Sequence, residues 1–169
     1  MDIFWEELSY GLPDGRQLVH ALIRLFAAVI LGAIIGMQRE KAGKPAGLRT
    51  HILVALGTTV FVLACSGYGM NSDGLSRVIQ GIVTGIGFIG AGSILKLNEE
   101  RDIRGLTTAA SVWMAAAIGV AVGLGVLGVA ILATGITFVV LALVGTLEKR
   151  SEKSADEETQ PAPAASKDL

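Results

Sequence analysis

TTAASVWMAAAIGVAVGLGVLGVAILATGITFVVLALVG, residues 107–145, contains no charged residue and is nearly twice as long as one membrane crossing requires. A helix rises 1.5 Å per residue, so about 20 apolar residues cross the hydrocarbon core of a bilayer. The run divides at GLGVLG, Gly123 to Gly128, whose glycines supply a tight turn. Two helices result, near 107–123 and 127–146. Three earlier stretches, 18–37, 50–68 and 78–97, are uncharged or nearly so. The reading is an all-α membrane protein with five transmembrane helices over residues 18–146, an outer N-terminal segment over 1–17 and a disordered polar tail over 147–169.

Composition agrees. Hydrophobic residues make up 51% of the 169, and the mean hydropathy of +0.60 is too apolar for a soluble fold of this size. The net charge of -1 offers no general attraction to nucleic acid. Cys65 is the only cysteine, which excludes an intrachain disulfide and a thiolate metal cluster; a buried, inert thiol is expected. Residues 1–17 carry Asp2, Glu6, Glu7 and Asp14 where a cleavable signal would have a basic start. The first apolar segment is therefore expected to stay as an anchor, and Phe4, Trp5, Leu8 and Tyr10 to form a short interfacial helix.

Lys and Arg are retained on the cytoplasmic side of a bacterial membrane. Arg39, Lys41, Lys44 and Arg49 fall in one loop, Lys96, Arg101 and Arg104 in another, and Lys149, Arg150, Lys153 and Lys167 in the tail, against Arg16, Arg24 and Arg77 on the opposite side. An odd number of spans with these loops inside puts the N-terminus outside and the C-terminus in the cytoplasm. AGLRTHILVALG (46–57) and RGLTTAASVWMAAAIG (104–119) both set Gly-Leu-x-Thr at the cytoplasmic start of a helix. Two parallel helical hairpins plus a fifth helix would explain the echo, as would chance similarity between segments of simple composition.

Small residues let helix backbones touch, and Gly32/Gly36, Gly81/Gly85 and Gly119/Gly123 have GxxxG spacing. The third span adds Gly87, Gly90 and Gly92, which reads as a central, closely packed helix with a kink near 87–92. Gly85, Gly87 and Gly90 form a literal GxGxxG, but a dinucleotide site needs a preceding strand and a soluble βαβ unit. His20, Arg24, Ala28, Gly32, Gly36 and Glu40 recur every four residues and share one ridge of the first span. Arg24 lies roughly 9 Å into that helix; it either snorkels to the outer head groups or faces the bundle.

Candidate binding residues collect at the cytoplasmic junctions: Arg39 and Glu40 at the end of the first span, Arg49, Thr50 and His51 at the start of the second, and Arg104, Thr107 and Thr108 at the start of the fourth. Helix N-termini carry unpaired N–H groups and positive partial charge, so arginine and threonine there suit an anion. The expectation is that Arg49 and Arg104 share one site, with Glu40 paired to either. The competing reading makes Thr50 and Thr107 N-caps and leaves the arginines to lipid phosphate. No Asp or Glu falls within the five spans, which argues against a self-sufficient divalent-cation carrier, and no metal site or cofactor is expected. No Ser-His-Asp order, HExxH or intramembrane acid pair appears, so the protein is not read as an enzyme.

GMQREKAGKPAGLRTHILVALG (36–57), RVIQGIVTGIGFIGAGSIL (77–95) and RGLTTAASVWMAAAIGVAVGLG (104–125) resemble the MgtC/SapB family of bacterial membrane proteins. The resemblance implies a five-span inner-membrane protein with a cytoplasmic C-terminus, linked to growth under magnesium limitation and to the survival of pathogens in macrophages. Its virulence branch is thought to act by binding other membrane proteins, notably the F-type ATP synthase. This chain departs from the family's usual pattern at Gln38, where Glu is usual, and from some virulence-branch members at Thr107, where they have Asn, and in its short polar tail, where they carry a soluble C-terminal domain. Function is therefore expected to be regulatory and non-catalytic, with the bilayer, a membrane complex such as the ATP synthase, and a second copy of the chain as partners. A small ion or anion transporter is the alternative.

The charge count predicts that cysteines introduced by Gly43→Cys and Asp102→Cys react only with membrane-permeant thiol reagents, whereas Ser72→Cys reacts with impermeant ones. Labelling of position 43 from outside intact cells would overturn the orientation.

Overall fold

The computed structural model describes residue 3 and residues 15–67, 71–97 and 102–159. Five helices follow in order: α1 (Gly15–Lys41), α2 (Leu48–Gly67), α3 (Ser72–Gly92), α4 (Leu106–Leu124) and α5 (Leu127–Thr159). Strands β1 (Leu95–Leu97) and β2 (Asp102–Arg104) form a small antiparallel ribbon between α3 and α4 that the hydropathy pattern did not anticipate. The first four helices are long and apolar enough to span a bilayer, and α5 contributes a shorter apolar segment, Leu127–Leu143. This is an all-α membrane protein of five helices.

Helix ends follow local chemistry. Asn71 caps α3 by accepting from the Gly74 N–H at 2.9 Å, which starts that helix six residues before the apolar run at 78. The third helix stops at Gly92, where the Ser93 hydroxyl donates to the Gly90 carbonyl at 2.7 Å. In GLGVLG the turn is shorter than the sequence suggested. Gly125 takes φ +83°, and the N–H groups of Gly125 and Val126 close onto the carbonyls of Val122 and Ala121 at 2.9 and 3.0 Å. That pair of bonds is a Schellman ending, which needs a residue without Cβ at the left-handed position.

Two expectations concern the chain ends. The last helix runs on to Thr159 instead of giving way to an irregular tail after 146. Residues 147–159 are rich in Glu and Lys, good helix formers, and the first helix-breaking proline after them is Pro161. The expected interfacial helix at Phe4 to Tyr10 and the end of the tail, 160–169, lie outside the described residues.

The centre of the bundle is α2, held between α1 and α4. A Cβ added at Gly32 of α1 would lie 2.8 Å from the His51 carbonyl oxygen, and one at Gly36 would lie 2.7 Å from Leu48 Cα. From the other side, a Cβ at Gly119 of α4 would overlap Ala55 O and Thr58 Oγ1, and one at Gly123 would meet Val62 Cβ at 2.6 Å. The Thr59 hydroxyl, 2.8 Å from the carbonyls of both Ala55 and Gly119, joins α2 to α4 across this contact. Around it Ala28, Leu31 and Ile35 of α1, Ala55 of α2, Ile118 and Val122 of α4 and Ala130 of α5 form the main core.

The third helix is peripheral, contrary to the sequence expectation. Half of α4's apolar window is buried but only 11% of α3's, and α3 contributes Ile86 and Gly90 as its buried residues. A Cβ at Gly81, Gly85, Gly87 or Gly92 would meet nothing within 4 Å, and one at Gly90 makes only ordinary contact with Ala109 at 3.6 Å. Spacing alone does not show which glycines meet a neighbour; α3 packs mainly on α4 through one narrow stripe and leaves its glycine-rich face open.

Arg24 turns into the protein. Its Nη1 donates to the Gly123 carbonyl at 2.8 Å, so a cation satisfies the C-terminal end of α4, where carbonyls lack helical partners. Phe26 and Ile30 of α1 and Ile131, Leu132, Ile136 and Val139 of α5 are exposed, as a lipid-facing surface requires.

Gly32→Leu and Gly119→Leu are expected to lower thermal stability in detergent by roughly 1–3 kcal/mol or more, the cost of overpacking. Gly85→Leu enters open space and should change it by less than about 0.5 kcal/mol. Melting curves read from helical circular dichroism compare the three.

Candidate functional site

Where α1 ends and α2 and α4 begin, the bundle holds a buried polar cluster. Arg39, on the last turn of α1, follows Ala28, Leu31, Gly32, Ile35 and Gly36 along the inward face and is only 3% exposed. One of its terminal nitrogens, Nη2, lies 3.1 Å from Thr108 Oγ1 and 3.3 Å from Thr107 Oγ1. Both hydroxyls belong to the first turn of α4, so α1 and α4 are joined through a guanidinium with its charge inside the protein. Gln38 Oε1 is buried next to it in sequence without a hydrogen-bond partner among the described residues.

His51 is fully buried and links α2 to the same turn of α4. Its Nδ1 is 2.8 Å from the Gly47 carbonyl, which can only accept, so Nδ1 carries the proton. In the neutral ring Nε2 then accepts from the Ser111 hydroxyl, 3.1 Å away. That hydroxyl is also 2.8 Å from the Thr108 carbonyl and, with one proton, serves one acceptor at a time. A serine beside a histidine is also the start of a nucleophile–base pair. Here both are buried, and Nδ1 faces a backbone carbonyl instead of a carboxylate, so the geometry has no opening for a substrate.

Glu40 does not pair with either candidate arginine. Its Oε2 accepts from the Leu48 N–H at 2.9 Å and so caps α2 from a neighbouring helix. A carboxylate at a helix N-terminus is favoured by the unpaired N–H groups and their partial charge. Gly47 permits this approach, since its Cβ would lie 2.7 Å from the same oxygen. At the start of α4, Gly105 holds φ +99° with no side-chain cap, and a Cβ there would collide with the Ser93 carbonyl. Neither Thr50 nor Thr107 therefore acts as an N-cap.

The structure thus brings Arg39, His51, Thr107 and Thr108 together and adds Ser111, while Glu40 caps α2 beside them. Arg49 and Arg104 are exposed and Thr50 is half-buried. The sequence reading centred the site on the two arginines at helix starts and counted Arg39 only as a loop charge among the candidates. The signal for Arg39 was its register, three residues beyond Gly36 and four beyond Ile35 on the inward ridge. Ser111 had a weaker signal, three residues after Thr108 on the same face of α4. No group of three or more His, Cys, Asp or Glu side chains that could hold a metal occurs among the described residues.

Residues 25–150 match the sequence profile of the MgtC family. Protein SrpB of Synechococcus elongatus is 39% identical over 142 residues, 78% of each chain. A protein of Escherichia coli K12 named Putative magnesium transporter YhiD is 43% identical over 137 residues, covering 76% of this chain and 62% of its own. Protein MgtC of Salmonella typhimurium is 47% identical over 104 residues, 62% of this chain and 43% of its own. This chain therefore spans less than two thirds of the length of the second and third of these relatives. No solved structure matches.

Thr108→Val keeps the shape of the side chain but removes a hydroxyl bonded to a buried guanidinium. It is expected to cost about 1.5–3 kcal/mol, whereas the exposed Arg49→Gln should cost less than about 0.5 kcal/mol. Thermal melting of the two purified variants in one detergent measures the difference.

Proposed function

We propose, on the premise that this chain belongs to the MgtC family, that it is a non-catalytic regulator of the bacterial inner membrane, acting by binding another membrane protein and not by carrying magnesium. With the N-terminus outside, the Arg39 end of the bundle faces the cytoplasm, in keeping with the Lys and Arg distribution.

The observation that carries this reading is the position of Arg39. A cation moving between α1, α2 and α4 would have to pass a guanidinium that is 3% exposed and bonded to the first turn of α4. A fixed positive charge in a medium of low dielectric opposes a divalent cation strongly, and the apolar stretches 18–37, 50–68, 78–97 and 107–145 contain no Asp or Glu to attract one. The close glycine contacts at Gly32, Gly36, Gly119 and Gly123 bring α1 and α4 against α2 on those two sides. The cluster thus reads as a lock that fixes three helix ends in one arrangement and presents a stable surface to a partner.

The name of the E. coli relative favours the other reading, magnesium transport. The two diverge in one measurement. Purified protein in sealed liposomes is expected to leave imposed Mg²⁺ and anion gradients unchanged. In cells, crosslinking in native membranes should recover a membrane complex, for which the family resemblance nominates the F-type ATP synthase, and Arg39→Gln should lose both that crosslink and growth at low magnesium. Protein-dependent Mg²⁺ flux abolished by Arg39→Gln would overturn the regulatory reading and establish transport.

A further inference from the structure

The face of α3 that packs on nothing forms one wall of an apolar groove of about 620 Å³ whose other wall is α2. Leu53, Gly57 and Phe61 line it from α2, and Gly81, Gly85 and Ile89 from α3. A Cβ at Gly57, Gly81 or Gly85 would meet nothing within 4 Å, so glycine widens the groove on both sides without serving a contact inside the chain. On α3 the lining runs from Val78 to Ile89. That is roughly 16 Å at 1.5 Å per residue, close to the ~15 Å depth of one leaflet of a bilayer.

The groove has a charged mouth. Arg49, Leu53, Gly57 and Phe61 follow one another at intervals of four and lie along one ridge of α2, so the exposed Arg49 stands at the end of the groove nearest the α1–α2 loop. The α3 wall ends at the same level. Ser93 there abuts Gly105, and the neighbouring Arg104, also exposed, pairs with Leu95 in the ribbon. Lys41 and Lys44 are exposed at this end too, while the carboxylate of Glu40 is engaged by the Leu48 N–H.

We propose that the α2–α3 groove binds one anionic phospholipid, an acyl chain lying along the glycine-lined walls and the phosphate resting at Arg49. Charge complementarity selects this occupant. A guanidinium presents a planar fork of donors that matches a phosphate, and it sits at head-group depth directly above the apolar channel. A second copy of the chain fits less well. Two copies inserted in the same direction and related by a two-fold axis would bring Arg49 against Arg49. A neutral lipid would fill the groove but bring no net negative charge to Arg49. The inference stands apart from the regulatory reading, since a bound lipid is compatible with either outcome of the flux measurement.

The test is native mass spectrometry of the full chain, delipidated in detergent and then titrated with phosphatidylglycerol or with phosphatidylcholine of the same acyl chains. The expected result is one retained phosphatidylglycerol per chain with about tenfold preference over phosphatidylcholine. Arg49→Gln should remove the preference, and Gly85→Leu, which fills the groove, should reduce retention of both lipids; Gly135→Leu, another glycine with open space around it, should do neither. Equal retention of the two lipids by the unaltered chain, or unchanged retention in both Arg49→Gln and Gly85→Leu, overturns the proposal. So does a dimer that Gly85→Leu dissociates without altering lipid retention, because that result gives the groove to a second copy. Should Gly85→Leu fail to fold, the exposed Arg49→Gln decides alone.

Discussion

The arrangement depends on how closely α2 can be approached from two sides. In a bilayer the lipid tails are as apolar as the side chains, so burial of apolar surface gives little reason for helices to associate, and dispersion contact has to supply the attraction. Dispersion falls steeply with distance, and only backbones that nearly touch gain much from it. Gly32 and Gly36 of α1 bring that helix against the first turns of α2, and Gly119 and Gly123 of α4 do so on the opposite side, deeper in the membrane. The Thr59 hydroxyl adds a polar link where the α2–α4 approach is closest. With α2 fixed, α1 and α4 are fixed relative to each other, and α5 completes the core through Ala130.

The polar cluster is a consequence of that geometry. Because α1 lies so near α2, its last turn is carried over the start of α4, and Arg39 reaches the two threonines there without bending away from its helix. Burying a guanidinium among apolar segments is costly unless its donors are satisfied. Here hydroxyls at a helix start, which keep acceptor lone pairs, meet one terminal nitrogen of Arg39, while His51 bonds the Gly47 carbonyl and the Ser111 hydroxyl lies within reach of both His51 and the Thr108 carbonyl. At the opposite end of the bundle Arg24 plays a related part on the Gly123 carbonyl. Two arginines of α1 thus hold the two ends of α4, one through side-chain hydroxyls and the other through the backbone, and α4 is the most deeply buried of the spans.

The helices not gripped in this way carry the surfaces. α5 shows a broad apolar face suited to lipid, while α3 touches α4 along a stripe and turns most of its glycines outward. The molecule therefore combines a rigid three-helix interior with an open groove on one flank.

Much of this was legible before any coordinates. The number of spans, the division at GLGVLG, the family, and the value of Gly32/Gly36 and Gly119/Gly123 as contact pairs follow from hydropathy, spacing and motif, which are properties of single helices and their connections. The same reasoning assigned Gly81, Gly85 and Gly92 to a packed interior with equal justification, because GxxxG spacing states that a helix can be approached closely and not that another helix is there. It centred the site on Arg49 and Arg104 because they stand at helix starts, and named Arg39 only as one candidate among several, since its importance depends on α1 crossing the start of α4. Glu40 capping α2, the Ser111 partner of His51 and the peripheral place of α3 likewise depend on which faces meet. A one-dimensional pattern records which residues share a face; only the packing of all five helices together decides which of those faces finds a partner, because that choice is made by backbone distance and by hydrogen bonds between residues sixty to a hundred positions apart.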